Sequence, residues 1–577
     1  LASANWSITG LWSRDTGKFT LTPEAGLEPH IFIDAAGIYS GTDYDFKQDA
    51  TIDQGRLDTS YFFNTGSAGH ELKFGGSFRE QANNSGTVWP HGNRVFSADY
   101  LGYDLPIVEF FRNRKNKVVS DYGAAWAQDT ITQNRWTINA GLRYDRQYLK
   151  NEAAFDPGVP EAQGLLPPIA FQGNHGGGFT WNTVEPRVGI TYALGEKRQT
   201  LLRGTFSRYA EQLGQLPLAT RVNPIGYNYA YFYFEDANHN LILDPDEVGS
   251  LQFAYTYNID PNNPTAVPNV NDRNLKPTLT DEITLGVDQG FGTNVALGLN
   301  LTYRNIHDIP EARIFVLDES GNTRLATRDD WVQVGTVTAT LPNGQTVTKP
   351  YYDLRDGLAP TGGTLYTNGD RKQRYLGATL SLTKRLANRW SFRGYITYSD
   401  WTWQVGPQFR RYDDPTDTVT DLTGYGFADD PSIFFEKEVG NKSDVFTGSR
   451  WSFNANAIYQ IAPDRPWGFN IAGNITGRQG FITPPYIRKG GVVGSRNIQL
   501  ASIDEFRNPD IYVLDGRIDK DFHFNDFNLT LSVDGFNLLN ESYVLQRERN
   551  VNADRFYQAN ERLSPRVFRL GATLRFR

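Results

Sequence analysis

The stretch Asp236-Ala-Asn-His-Asn-Leu-Ile-Leu-Asp-Pro-Asp-Glu247 sets oxygen-bearing side chains at the first, third, fifth, ninth and twelfth of its places. A hard cation such as Ca2+ takes about six to eight oxygens, and this spacing folds them around one point. The expected ligands are Asp236, Asn238, Asn240, the Ile242 carbonyl, Asp244 through a water, and Glu247 with both oxygens. Leu241 stands where a glycine usually makes the sharp turn, and no helix pattern flanks the stretch. A solvated acidic loop is therefore the competing reading. An ion here would stiffen the chain between 212 and 280 and catalyse nothing.

No other constellation rises to the same level. His30, His70, His91, His175, His239, His307 and His523 are scattered without ligand spacing. There is no Gly-x-Ser-x-Gly elbow and no phosphate-binding loop, and carboxylates are plentiful without one pair standing out. No catalytic site, and no enzyme, is expected. Just before the acidic stretch, Tyr227 to Phe234 is dense in aromatics, echoed by Phe253 to Tyr257. Such faces either stack on flat ligands or pack loops together.

The elements that must position these residues are strands. In the closing segment Phe568, Leu570, Ala572, Leu574 and Phe576 alternate with Arg569, Gly571, Thr573 and Arg575. Successive strand residues point to opposite faces, so one face is apolar and the other polar. The pattern recurs in pairs joined by links of a few residues, as at Gly66–Gly69, Gln133-Asn134, Gly195–Arg198, Ala387–Arg389 and Asn525-Asp526. Between pairs the links run to tens of residues, near 150–182, 212–280, 309–370, 401–450 and 478–510. A compact soluble domain rarely carries such loops. A membrane-spanning antiparallel β-barrel does, with short periplasmic turns and long extracellular loops.

About 17 strands are recognisable, counting Trp6–Arg14 and His30–Gly41 as the first two. The last strand then runs inward, and so does the first. An even-stranded barrel with both ends in the periplasm would need an odd number of strands upstream of Leu1; five would make about 22. Arg143, Arg203, Arg569 and Arg575 are expected to line the lumen, bonded to lumen acids or to a plug. Tyr144, Tyr303, Tyr398 and Trp401 are expected in the interfacial girdle.

Composition agrees. Over 577 residues, aromatics reach 14% and the mean hydropathy is −0.50, with no run of the ~20 apolar residues a membrane helix requires. The net charge of −8 comes from interleaved acids and bases, which argues against a nucleic-acid partner. Without Cys there is no disulfide or thiolate metal site. Without Met, Leu1 is not a translation start, and no signal peptide opens the sequence. Residues 1–577 show no internal linker and read as one barrel, with further N-terminal strands, plug and signal expected upstream.

Along the chain stand His70-Glu-Leu-Lys-Phe-Gly-Gly76, Trp126-Ala-Gln-Asp129 with Gly141-Leu-Arg-Tyr-Asp145, and Glu185-Pro-Arg-Val-Gly-Ile-Thr-Tyr192. Asn274-Leu-Lys-Pro277, Leu285-Gly-Val287, Tyr375 through Lys384-Arg385, and Phe536-Asn-Leu-Leu-Asn540 follow. In this order the segments resemble a TonB-dependent outer-membrane transporter, in particular the Oar-like receptors that carry a carboxypeptidase-regulatory-like domain. The resemblance implies a 22-strand barrel that moves a large solute (siderophore, glycan, peptide or protein) across a bacterial outer membrane. It implies outer-membrane lipid and lipopolysaccharide as surroundings. The implied partners are an extracellular ligand, the TonB system through an N-terminal segment, and a surface lipoprotein as a further candidate. A structural or adhesive surface barrel without transport is the alternative.

Overall fold

The computed structural model describes residues 5–576, apart from 25, 28–30, 91–92, 174–177, 198, 216–217, 227, 241–243, 245, 257–268, 370–371, 405–447, 493–495 and 502–504. Sixteen strands form one antiparallel sheet in chain order, from Trp6–Leu21 through Asp45–Thr65, Ala68–Val88 and Arg114–Gln133 to Val567–Phe576. Seven short turns alternate with eight long loops along it. The long links are 22–44, 89–113, 152–178, 211–278, 308–371, 405–450, 479–510 and 537–566, and in an up-and-down sheet they leave the strands at the end opposite the short turns.

The strand count corrects the sequence expectation. Residues around 30–41 are not a barrel strand. Phe32–Ile33 and Tyr39–Ser40 are two-residue strands in a separate extracellular sheet. With sixteen strands the first runs outward, and the argument for an odd number upstream lapses.

One face of every strand meets lipid. Leu570, Phe576 and Trp12 are 82%, 77% and 68% exposed, with Leu285, Leu301, Val188 and Ile518 in the same outward rows. Trp136 and Tyr192, 4.3 Å between ring centres, mark the periplasmic rim. Two outward lysines also locate it. Lys520 Nζ donates to the Pro466 carbonyl at 2.6 Å, and Lys384 Nζ to the Ala387 carbonyl at 2.7 Å. Both amines bend out of the hydrocarbon toward the turn carbonyls. Trp6–Leu21 and Val567–Phe576 are the two ends of the sheet.

Several strands continue well past the lipid belt. Asp45–Thr65 and Ala68–Val88 each have 21 residues, about twice what a tilted strand needs to cross. Above the belt their outward side turns polar, as at Arg14 paired with Asp53 at 2.7 Å. These extensions carry the loops.

The loops knit together by strand pairing. A six-stranded sheet takes strands from three of them: Phe32–Ile33 and Tyr39–Ser40, Asn93–Phe96 and Ile107–Phe111, and Asn228–Phe234 with Val248–Thr256. One side of it buries Val95, Val108, Phe110, Phe232 and Phe234 against Val159 and Leu166 of a fourth loop. Farther round, Trp331–Thr340 and Thr346–Leu354 form a hairpin whose Val337 and Leu341 pack on Ile487, Ile498 and Phe506.

Candidate functional site

The inner wall is polar and carries a series of ion pairs. Arg143 Nε lies 2.8 Å from Asp145, and Arg143 Nη2 donates to the Tyr122 hydroxyl, which donates to Asp145 at 2.7 Å. Arg203 meets Asp288 at 2.7 Å, and Arg569 and Arg517 share Asp534 at 3.1 and 3.2 Å. The arginines expected in the lumen are thus held by lumen acids; Arg575 lies in the same row, across from Asn528. Trp126 stacks between Arg56 and Arg143, 4.9 and 5.2 Å from its ring. Gly75 makes room for that indole, since a Cβ there would sit 2.8 Å from Trp126 Cζ2 and 2.2 Å from the Leu57 carbonyl oxygen.

Tyr144, Tyr303 and Tyr398 point outward and are exposed, as a girdle requires. Trp401 does not. It pairs across from Tyr375 on the inward row, its indole N–H donating to Gln373 at 3.1 Å. His70 is on the outward face near the periplasmic rim, bridging Asp129 and Thr65 at 2.7 Å each.

At the extracellular mouth, loop 211–278 turns inward against the wall. Gln147 accepts from the Leu213 amide at 2.8 Å and donates to the Glu211 carbonyl at 3.0 Å. Leu213, Leu218 and Ala219 bury themselves on Leu149 and Trp181, whose indole donates to the Leu275 carbonyl at 2.7 Å. Gln147, Leu149 and Trp181 continue the inward rows of Asp145 and Glu185. The mouth is therefore narrowed by the protein's own chain.

The acidic stretch is the turn of the hairpin formed by Asn228–Phe234 and Val248–Thr256. The Asn240 amide donates to Asp236 Oδ1 at 3.0 Å and to Asn238 Oδ1 at 3.1 Å. Asn238 Nδ2 donates to Asp244 at 2.7 Å. Glu247, 5% exposed, accepts from the Ala237 amide at 2.9 Å and the Asp244 amide at 3.0 Å. The structure thus brings Asp236, Asn238, Asn240, Asp244 and Glu247 together, while Ile242 lies outside the described residues. Among the described residues no three His, Cys, Asp or Glu side chains converge as a metal group. A cation would have to draw on the amide oxygens of Asn238 and Asn240 as well.

The aromatic run is a strand with two faces. Ala230, Phe232 and Phe234 are core; Tyr229, Tyr231 and Tyr233 form a half-buried row on the other side. That row meets Phe111, Phe96 and Tyr103 at 5.9, 6.4 and 6.5 Å. Loop packing, the plainer of the two sequence readings, holds for these tyrosines; Tyr227 lies outside the described residues. Between them sits Glu109, which the sequence did not single out. It is 3% exposed, and burial pushes its carboxyl up to about 7, with Arg94 and the Tyr231 hydroxyl pulling the other way.

An apolar outer belt, a polar ion-paired inner wall and loops at one end define a membrane-spanning barrel of the bacterial outer membrane. The chain belongs to the outer membrane beta-barrel domain family, whose model matches residues 22–431. No curated protein matches it. Among solved structures it is similar to the outer membrane transporter YddB from Escherichia coli, with TM-score 0.54 and 11% identity over 99% of this chain and 61% of that one. The ferric-catecholate import receptor Fiu from E. coli, closed form, gives 0.49 and 14% over 99% and 62%. BauA, the ferric preacinetobactin receptor from Acinetobacter baumannii, gives 0.47 and 11% over 99% and 60%. The chain spans about three-fifths of the length of these structures.

Proposed function

We propose that this chain is the barrel of a TonB-dependent receptor that captures a large solute at its loops and passes it along the polar inner wall. The observation that carries this reading is the fixed set of ion pairs around a lumen whose mouth is narrowed by loop 211–278. A purely adhesive barrel has no use for a charged inner path. The likeness to a transporter barrel supports it at the level of fold. A plug filling the lumen and a segment gripped by TonB belong to the same proposal. So does the narrower Oar-like assignment, which rests on the hairpin motifs alone.

The test uses the native full-length protein from outer membranes and the purified periplasmic domain of TonB. Co-purification that rises when spent culture medium supplies ligand supports the reading. Absence of any association, with and without medium, would leave the adhesive alternative.

We also propose Ca2+ as a structural ion in the 236–247 turn. Support comes from the ligand spacing and from the side chains of Asp236, Asn238, Asp244 and Glu247, which the fold gathers beside the Asn240 amide. Asp236, Asn238, Asn240, Asp244 and Glu247 would hold it with the Ile242 carbonyl, tightening the hairpin that feeds the six-stranded sheet.

A further inference from the structure

A cavity of about 530 Å3 opens on the inner wall at its extracellular end, lined by aromatics and arginines, a volume ordinary for a small-molecule site. Phe19 and Phe46 are cross-strand neighbours on the inward rows of the first two strands, with ring centres 6.0 Å apart. Tyr44 and Trp89 form the adjoining wall, 5.0 Å apart. Phe19 is half exposed although no lipid faces it on this side. A recess with such walls offers flat apolar surface to something other than membrane.

The three guanidiniums in it are not equivalent. Arg112 is wholly buried, ion-paired with Asp156 and donating to the Pro167 carbonyl at 2.7 Å. Arg94 reaches Asp43 at 3.1 Å and lies over the Trp89 and Phe111 rings at 4.9 and 5.1 Å. Both hold the wall in place. Arg114 is the exception: it is exposed, sits across from Thr87 on the inward row, and has no hydrogen-bond or ion-pair partner among the described residues. A planar, permanently charged fork with nothing to bind suits a carboxylate, which accepts two parallel N–H bonds.

We propose that this recess recognises a flat organic anion, an aryl carboxylate whose ring lies on Phe19 and Phe46 and whose carboxylate meets Arg114. Its physiological meaning rests on the receptor reading, in which it names the class of solute first held at the mouth. The binding itself follows from the wall alone.

Calorimetry on the purified full-length protein in detergent, with 2-naphthoate as probe, tests the assignment. Naphthoate is expected to bind, and Arg114→Gln to weaken it by about tenfold or more, the usual worth of a hydrogen bond to a charged group. Arg114→Lys should recover part of that loss, and Phe46→Leu should weaken binding without removing it. 2-Naphthalenemethanol, which keeps the ring and lacks the charge, and cyclohexanecarboxylate, which keeps the charge and lacks the ring, should each bind more weakly. Absence of naphthoate binding, equal affinity for all three probes, or an Arg114→Gln variant of unchanged affinity and native electrophoretic mobility would overturn the proposal. Failure here with ligand-stimulated TonB association intact leaves the receptor standing without this site. Binding here without TonB association leaves the site and removes the receptor.

Discussion

Two buried carboxylates in the extracellular loops are pushed in opposite directions. Glu109 is flanked across the sheet by Arg94 and Tyr231, yet burial outweighs them and holds its proton up to about 7. Asp330 accepts from both terminal nitrogens of Arg324 at 2.6 Å and from the Thr327 amide at 2.8 Å, which keep it well below the usual carboxylate range. Between pH 4.5 and about 7 the unfolded chain has released the Glu109 proton while the folded one keeps it. Stability of that sheet therefore falls as pH rises through the window, by about 3 kcal/mol in all. Glu109→Gln should abolish this slope, read as hydrogen exchange of the sheet amides corrected for intrinsic rate; an unchanged slope would exclude Glu109 as its source. Asp330 has the opposite sign: its contribution is present above the ordinary carboxylate range and lost as pH falls. At the acidic turn, Asp236→Ala with Glu247→Ala should speed protease cleavage within 212–280, and a chelator should do the same to the parent protein. Equal cleavage in all cases would remove the ion. That turn was readable because its contacts are local in sequence; Glu109 was not, because its neighbours come from two other segments.

Strands were legible where lipid enforces the alternation and illegible where it stops. The sequence pattern marks Arg56–Thr65, whereas the ladder begins at Asp45. Hydrogen bonding continues above the membrane after the apolar rows end, so periodicity sees only the immersed half. Residues 30–41 carry some alternation but pair as two-residue strands with a neighbouring loop, which no local pattern announces. Trp401 misleads for a related reason: its strand begins at Trp390, and by that height a tryptophan is as useful against Tyr375 inside as against lipid outside. The lipid rows make a sharp forecast. Val533, between Ile518 and Leu570 on the outward face, should tolerate arginine badly, at about 2–4 kcal/mol near mid-membrane. Its neighbour Ser532 faces inward across from Asp519 and should tolerate arginine at little cost. Urea titration of folding into lipid vesicles separates the two; equal costs would contradict the assignment of faces.

At the scale of the whole molecule, four of the extracellular loops, 22–44, 89–113, 152–178 and 211–278, are tied together by one shared core. Phe232 is fully buried among Val95, Val108 and Phe110 from loop 89–113 and Val159 and Leu166 from loop 152–178. Phe232→Ala should therefore cost about 3–5 kcal/mol locally. Protease sites in loops 89–113 and 152–178 should open along with its own loop, and cleavage confined to 211–278 would show that the loops are independent. The barrel end of the architecture could be read from turn lengths alone, since tight and long links alternate along the whole chain. The cap could not, since Tyr229 finds Phe111 and Phe32 finds Val95 across more than fifty residues of intervening sequence.

A surface woven from three separate segments also decides how an immune system or a phage would see this cell. The contacts of Tyr39 with Arg94 and of Phe96 with Tyr231 exist only when all three segments are folded against one another. Antibodies raised against intact cells should lose their target on a denaturing blot, and synthetic peptides copied from any one segment should fail to compete for them. Escape variants would then cluster in space while lying far apart in the gene.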